Sequence, residues 1–417
     1  MNWQRGFTAL AIHCPILEVT SYVKDAFRLV LTATLIPLVV VIPGCARTDS
    51  PSVKNPIVTT DAELAENIKQ LAEQLAAKDE FTGVVMLSRN HQVLFRSAFG
   101  IADRNSGRMN TPETPFALAS VSKMFTAVVV AQLAEQKKVT FESTIGSLLP
   151  NYPAPQSHVT VGQLLTMSSG IPDLFRNSQF WDQINTIRQP TDFWRFFATA
   201  PLEFEPGTKW TYSNSNFLVL GAIVEKVTSR PFTTMVEENV FHAAGMKQTG
   251  YRTSAVPTAA IGYTRTRPGA TEPQSKEWYP AWDTPETATT DGDSDFLVGA
   301  PMGGGMSTAE DLTRFAQALM EGRLLSREMA NRVMTGVIPA DYDGRDGYGF
   351  ETRLYDGRVR IVGHRGGFTG VTNQVEFYPN LGYVVVVLGN SDPSGAETIA
   401  KRIRVLIGES PVLSRPR

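Results

Sequence analysis

The feature that most constrains this 417-residue chain is the position of its strands: they stand near both ends, and helical runs fill the middle. Thr82 to Ser88 and Gln92 to Phe99 are strand-like runs joined by Arg89-Asn90-His91, a hairpin signal that leaves His91 as a turn residue in solvent. Three more runs come late: Arg358 to Val362, Thr372 to Tyr378 and Tyr383 to Leu388. The last of these is β-branched almost throughout and suits a central strand. Early and late strands must therefore pair across a large sequence gap. The expected fold is α+β: an antiparallel sheet built from both chain ends, flanked by terminal helices, with a mainly helical insert beside it.

The helices follow from spacing and caps. Thr60 can cap a run from Asp61 to about Lys78, with Leu64, Ile68, Leu71 and Leu75 on one face. Ser122 to Gln136 has a long apolar face. A shorter run from Thr160 or Val161 stops at Ser168-Ser169-Gly170-Ile171-Pro172, and Phe217 to Val227 reads as a buried helix. Tyr251 to Gly299, rich in Pro, Thr, Gly and Asp, reads as a long surface excursion. Thr308 to Leu319, capped by Ser307 or Thr308, and Ala396 to Ile407 complete the set.

Residues 1–45 read as a targeting segment. Lys24 and Arg28 precede an apolar run, Leu29 to Ile42. At about 14 residues it is short for a membrane span but suits a signal core. It ends in Ile42-Pro43-Gly44-Cys45-Ala46, which resembles a bacterial lipobox with Cys45 as the lipidated residue; Pro43 departs from the pattern. An unmodified Cys45 beside an ordinary cleavage site is the alternative. Residues 1–22 do not fit a usual signal peptide, and a non-ATG start at Val23 is one hypothesis, testable by N-terminal mass spectrometry of the precursor. Residues 46–60 read as a tether and 61–417 as the folded domain. The expected location is exported, periplasmic or held at a membrane by lipid.

Composition removes several classes of function. A formal net charge of −2 gives no general nucleic-acid footprint. The two cysteines, Cys14 and Cys45, both precede the domain, which excludes a catalytic cysteine or thiolate metal cluster within it. The five histidines are scattered and form no zinc pair. Asp291-Gly292-Asp293-Ser294-Asp295 looks like a calcium loop, but Phe296 and Met302 stand where glycine and glutamate belong, so it reads as a solvated loop. No Walker or dinucleotide fingerprint occurs, and no metal or cofactor is expected.

The chemistry is carried by three elements. Ser120-Val121-Ser122-Lys123 opens a helix, so Ser120 and Lys123 share a face. A serine hydroxyl needs a base within reach, and a lysine can serve if burial lowers its pKa. The helix start adds N–H donors where an oxyanion would develop. Alone the spacing is weak: Ser21 and Lys24 share it inside the targeting segment, and Ser is a common helix cap. Tyr212-Ser213-Asn214 is the second element. Tyr can shuttle a proton when a neighbouring cation lowers its pKa, and Asn214 can hold the lysine and the substrate carbonyl. Tyr378-Pro379-Asn380 is a decoy at a strand end. The third element is Gly363-His364-Arg365-Gly366-Gly367, whose glycines allow close approach of a substrate.

In this order the three elements resemble the serine β-lactamase and penicillin-binding-protein superfamily, in its class C β-lactamase-related branch of esterases and D-peptidases. Phe116 to Lys123, Leu164 to Pro172, Pro206 to Asn214 and Gly363 to Gly370 carry the resemblance, which spans about residues 62–408. It implies Ser120 as nucleophile, Lys123 as its proton partner and Tyr212 as general base. It implies Asn214 as a positioning group and an oxyanion hole from the N–H groups of Ser120 and Gly367. His364 stands where the β-lactamase lysine stands, and Met167 where a histidine is usual; Met167 reads as core packing. Tyr348 reads equally as cleft wall or packed aromatic. Strand alternation turns Arg365 away from the face that His364 and Gly366 share.

A neutral imidazole at 364 lacks the fixed charge that would bind a β-lactam carboxylate. The expected reaction is therefore hydrolysis of an ester or amide of a small acyl compound. A class C-like β-lactamase and a slowly deacylating penicillin-binding or acyl-sensing domain are the alternatives.

Overall fold

The computed structural model describes residues 57–187, 190–251, 258–266, 278–281, 300–392 and 395–415. The expected targeting segment with Cys45, most of the tether and the acidic loop Asp291 to Asp295 lie outside them. Helix α1 (Asp61–Ala77) starts where Thr60 and Glu63 close a reciprocal capping box. Strands β1 (Gly83–Arg89) and β2 (Gln92–Phe99) form the hairpin. Its turn residues Asn90 and His91 both have positive φ, which a two-residue turn of the right twist demands.

The middle holds α2 (Lys123–Glu135), α3 (Val161–Leu165), α4 (Ser215–Thr228) and α5 (Ala309–Met320). The chain then returns as β3 (Ile338–Pro339), β4 (Arg345–Asp346), β5 (Glu351–Tyr355), β6 (Val359–Phe368), β7 (Val371–Tyr378) and β8 (Tyr383–Gly389). Helix α6 (Ala396–Glu409) follows. The strands form one eight-stranded sheet in the order β2-β1-β8-β7-β6-β5-β4-β3, antiparallel throughout. The two chain ends meet at β1 and β8, where Val85 lies opposite Val387.

The period-2 alternation of these strands sorts the core into two layers. Val84, Met86, Val362, Val384 and Val386 pack against the helices of the middle. Val85, Leu87, Ile361, Val385 and Val387 pack against Leu64 and Ile68 of α1 and Ile399 and Ile403 of α6. Helix α2 is buried without a break from Lys123 to Ala131.

The structure corrects the sequence reading at three places. The tether ends before residue 60: Val58 is buried in the α1–α6 layer, and its carbonyl accepts from Ser410 Oγ at 2.6 Å. The stretch from Tyr251 is not wholly a surface excursion. Tyr251 and Tyr263 are buried, and Tyr263–Thr264 pairs in parallel with Ser391–Asp392. Strand β6 runs on through the His364 segment to Phe368, because β7 pairs with it in unbroken register. The short strands β3 to β5 extend the sheet beyond the expected five.

Candidate active site

Ser120 sits in a 3₁₀ turn, Ala119–Ser122, that leads into α2. Ala119, just before it, has φ +47°, a left-handed conformation that costs a non-glycine residue about 1–2 kcal/mol and is held by its surroundings. Those surroundings are specific. Gly366 of β6 lies so close that a Cβ there would stand 2.2 Å from the Leu118 carbonyl. Asn373 Nδ2 of β7 donates to the carbonyls of Ala117 (2.8 Å) and Leu118 (3.2 Å). From below, Leu118 N–H donates to Gly305 O, and Gly305 N–H donates to Ser122 Oγ.

Lys123 is fully buried, and its Nζ has three close neighbours. They are Asn214 Oδ1 at 2.7 Å, the Met302 carbonyl at 2.7 Å and Ser120 Oγ at 3.0 Å. Asn214 Nδ2 donates to Asp173 Oδ2 at 3.0 Å, which fixes the amide with its oxygen towards the lysine. Two of the three neighbours can therefore only accept. In the neutral amine they take both hydrogens, and the lone pair points at Ser120 Oγ. Desolvation pushes the Lys123 ammonium down to about 7, against the attraction of Asp173, Asp346 and Glu351.

The Tyr212 hydroxyl lies 2.6 Å from Ser120 Oγ. The expectation that a cation lowers its pKa is not met. Burial pushes the phenol up, and Glu351, Asp173 and Asp346 push the same way. Tyr212 is thus a neutral donor to Ser120, and the group prepared to take a proton is Lys123.

His364 lies on β6 with its ring buried, and its Nδ1 is 2.5 Å from the Arg365 carbonyl. A carbonyl only accepts, so Nδ1 carries the proton and Nε2 the lone pair. Desolvation pushes the imidazolium down to about 4, with Lys123 adding to the effect and Glu351 opposing it, so the ring is neutral at pH 7. Arg365 points to the opposite face, as alternation requires, and binds Glu351 at 3.0 Å.

Ser120, Tyr212, Asn214, His364, Gly366 and Gly367 line one cavity of about 640 Å³. Phe175, Trp210, Met302 and Phe368 give it apolar walls. The same cavity also touches Arg365, which alternation alone did not suggest. Tyr348 is not among its lining residues; it stacks on Phe141, ring centroids 4.5 Å apart. Three contributors carried no sequence signal of their own: Asp173, which orients Asn214, Asn373, which holds the Ser120 turn, and the Met302 carbonyl. The glycine run 303–305 is the one trace that backbone approaches closely there.

With this geometry in place, comparison with known proteins decides the family. The family model "Beta-lactamase" matches residues 68–409. This chain belongs to the beta-lactamase family. It is 28% identical over 335 residues to penicillin-binding protein 4* of Bacillus subtilis (strain 168), covering 78% of this chain and 72% of that one. It is 30% identical over 218 residues to esterase EstB of Burkholderia gladioli, covering 48% of this chain and 55% of EstB. Among solved structures, the penicillin-binding protein from Bacillus halodurans superposes with a TM-score of 0.69 at 29% identity, over 81% of this chain and 98% of that one. In this family setting the chain is a serine hydrolase that acts on acyl substrates through an acyl-enzyme.

Proposed function

We propose that the protein hydrolyses an ester or amide of a small acyl compound on Ser120, with Lys123 as the base and Tyr212 as the proton donor. The observation that carries this reading is the arrangement around Lys123: both acceptor neighbours are fixed, so a neutral amine directs its lone pair at Ser120 Oγ. The proton of Ser120 passes to Nζ as Oγ bonds to the substrate carbonyl carbon. The N–H groups of Ser120 and Gly367 receive the oxyanion. When the intermediate collapses, the leaving alcohol or amine takes the Tyr212 proton, and Lys123 restores it to the phenol. Water then attacks the acyl-enzyme, giving up a proton by the same route in reverse, and Ser120 is released.

The charges around the cavity support esters and simple amides over β-lactams. His364 offers a lone pair and no charge, so it cannot anchor a carboxylate. Arg365, the other candidate cation, already holds Glu351. The kinship with EstB supports the ester reading, and the kinship with penicillin-binding proteins keeps an amide, or slow turnover of a trapped acyl group, as the second. A panel of p-nitrophenyl esters, D-alanyl amides and a chromogenic cephalosporin, each against Ser120→Ala, tests this. Cephalosporin turnover far above ester turnover contradicts it. A fluorophosphonate should add its mass to the peptide that holds Ser120.

The basic start, short apolar run and Gly44-Cys45 support export with a lipid on Cys45. Firm retention needs more than one acyl chain. Cys45→Ser should release the protein from the membrane fraction or block its maturation; unchanged fractionation contradicts the anchor.

A further inference from the structure

Met167, where the resemblance leads one to expect histidine, is more than filling. It is buried in the main core and has φ +55°, a left-handed conformation rare for such a side chain. Its carbonyl accepts from Thr211 N–H at 3.0 Å. Its sulfur accepts from Ser213 N–H at 3.5 Å and from Asn216 Nδ2 at 3.4 Å, distances suited to the larger radius of sulfur. The two backbone donors it engages therefore bracket Tyr212 on both sides. Neighbouring residues continue the seam: Ser168 O accepts from Gly207 N–H, and Ser169 Oγ donates to Asn216 Oδ1. A hydrocarbon in place of the sulfur would leave two buried N–H donors without an acceptor.

We propose that Met167 is a positioning residue that sets the Tyr212 hydroxyl against Ser120, its thioether taking the place of a polar side chain. The inference rests on the reading that Tyr212 moves the proton. A hydroxyl held 2.6 Å from the nucleophile has little tolerance: misplacement by about an ångström costs up to roughly 10²-fold in rate.

The test is a double-mutant cycle on the full chain, with rates normalised to active sites titrated by fluorophosphonate, so that only folded enzyme counts. Met167→Leu keeps the volume and removes the acceptor. It should lower kcat for p-nitrophenyl butyrate ~10-fold at nearly constant KM, and cost under ~2-fold in a Tyr212→Phe background, because both changes then remove the same interaction. Met167→Gly relieves the left-handed backbone and removes the sulfur, and should be slowed at least as much. Equal losses in both backgrounds, or native kcat in Met167→Leu or Met167→Gly, would overturn the proposal. If Tyr212→Phe alone is not slowed, the reading of Tyr212 fails first, and the two failures are thereby told apart.

Discussion

The two faces of the sheet bury charge in opposite ways. On the face under α1 and α6, Glu376 is buried beside Arg404 (2.8 Å) and Arg353 (3.6 Å), and Glu351 binds Arg365 (3.0 Å) and Arg353 (3.1 Å). On the face under the helical insert, Lys123 is equally buried, but its partners are a hydroxyl, an amide and a carbonyl. A buried charge is tolerated if it is paired; otherwise it is given up. The first face pairs its carboxylates with arginines and gains structure. The second lowers its lysine to about 7 and gains a base.

The sharpest way to break this comparison is to remove a member of each face. Lys123→Met should lower kcat ~10⁴-fold, the upper end for a general base, while the protein stays folded. Tyr212→Phe should cost ~10²-fold in kcat, the lower end of that range. On the other face, Arg404→Met leaves Glu376 poorly paired and should lower the unfolding free energy by ~3 kcal/mol in urea titration, with kcat per active site unchanged. If Arg404→Met slowed turnover and Lys123→Met mainly destabilised, the division of labour would be reversed.

A smaller effect probes the one charge difference within the cavity. His364→Lys should raise cephalosporin hydrolysis relative to p-nitrophenyl butyrate hydrolysis. A charge-assisted hydrogen bond to the carboxylate is worth roughly 1.5–3 kcal/mol, or about one to two decades in kcat/KM. The opposite trend would point to Arg365, which shares the cavity although it lies on the far face of β6.

The same contrast explains how much could be read from sequence. The unbroken apolar run of β8 and the caps of α1, α3 and α5 are local signals, and the elements formed where those signals stood. Ser120, Lys123, Tyr212 and Asn214 were legible because their three elements, in order, resemble a known family, although the spacing of Ser120 and Lys123 is weak alone. Asp173 and Asn373 were not, since each acts through a partner 41 or 256 residues away and its own neighbourhood shows only a turn or a strand. The state of Tyr212 was misread for a related reason. Proximity to a lysine suggests a lowered phenol, but burial, which depends on the whole fold, lowers the lysine and raises the phenol. Arg365 was placed on the correct face, yet its contact with the cavity could not be seen from alternation.

The central claim is that Lys123 is a neutral base at working pH, and the pH dependence of Ser120 acylation tests it most directly. The Lys123 ammonium lies at about 7, below its ordinary 10.5, so the base form is gained as pH rises through that value. Stopped-flow acylation by a p-nitrophenyl ester should rise about tenfold per pH unit below 7 and level off above it. His364, titrating at about 4, adds no limb there, but buried Asp346, raised to about 7, could imitate one. The limb should therefore be followed in Asp346→Asn as well, where it should persist but move to lower pH, because the charge that holds Lys123 up is removed. A rate that keeps climbing to pH 9 or 10, or a limb that is lost altogether rather than moved down in Asp346→Asn, would contradict the account.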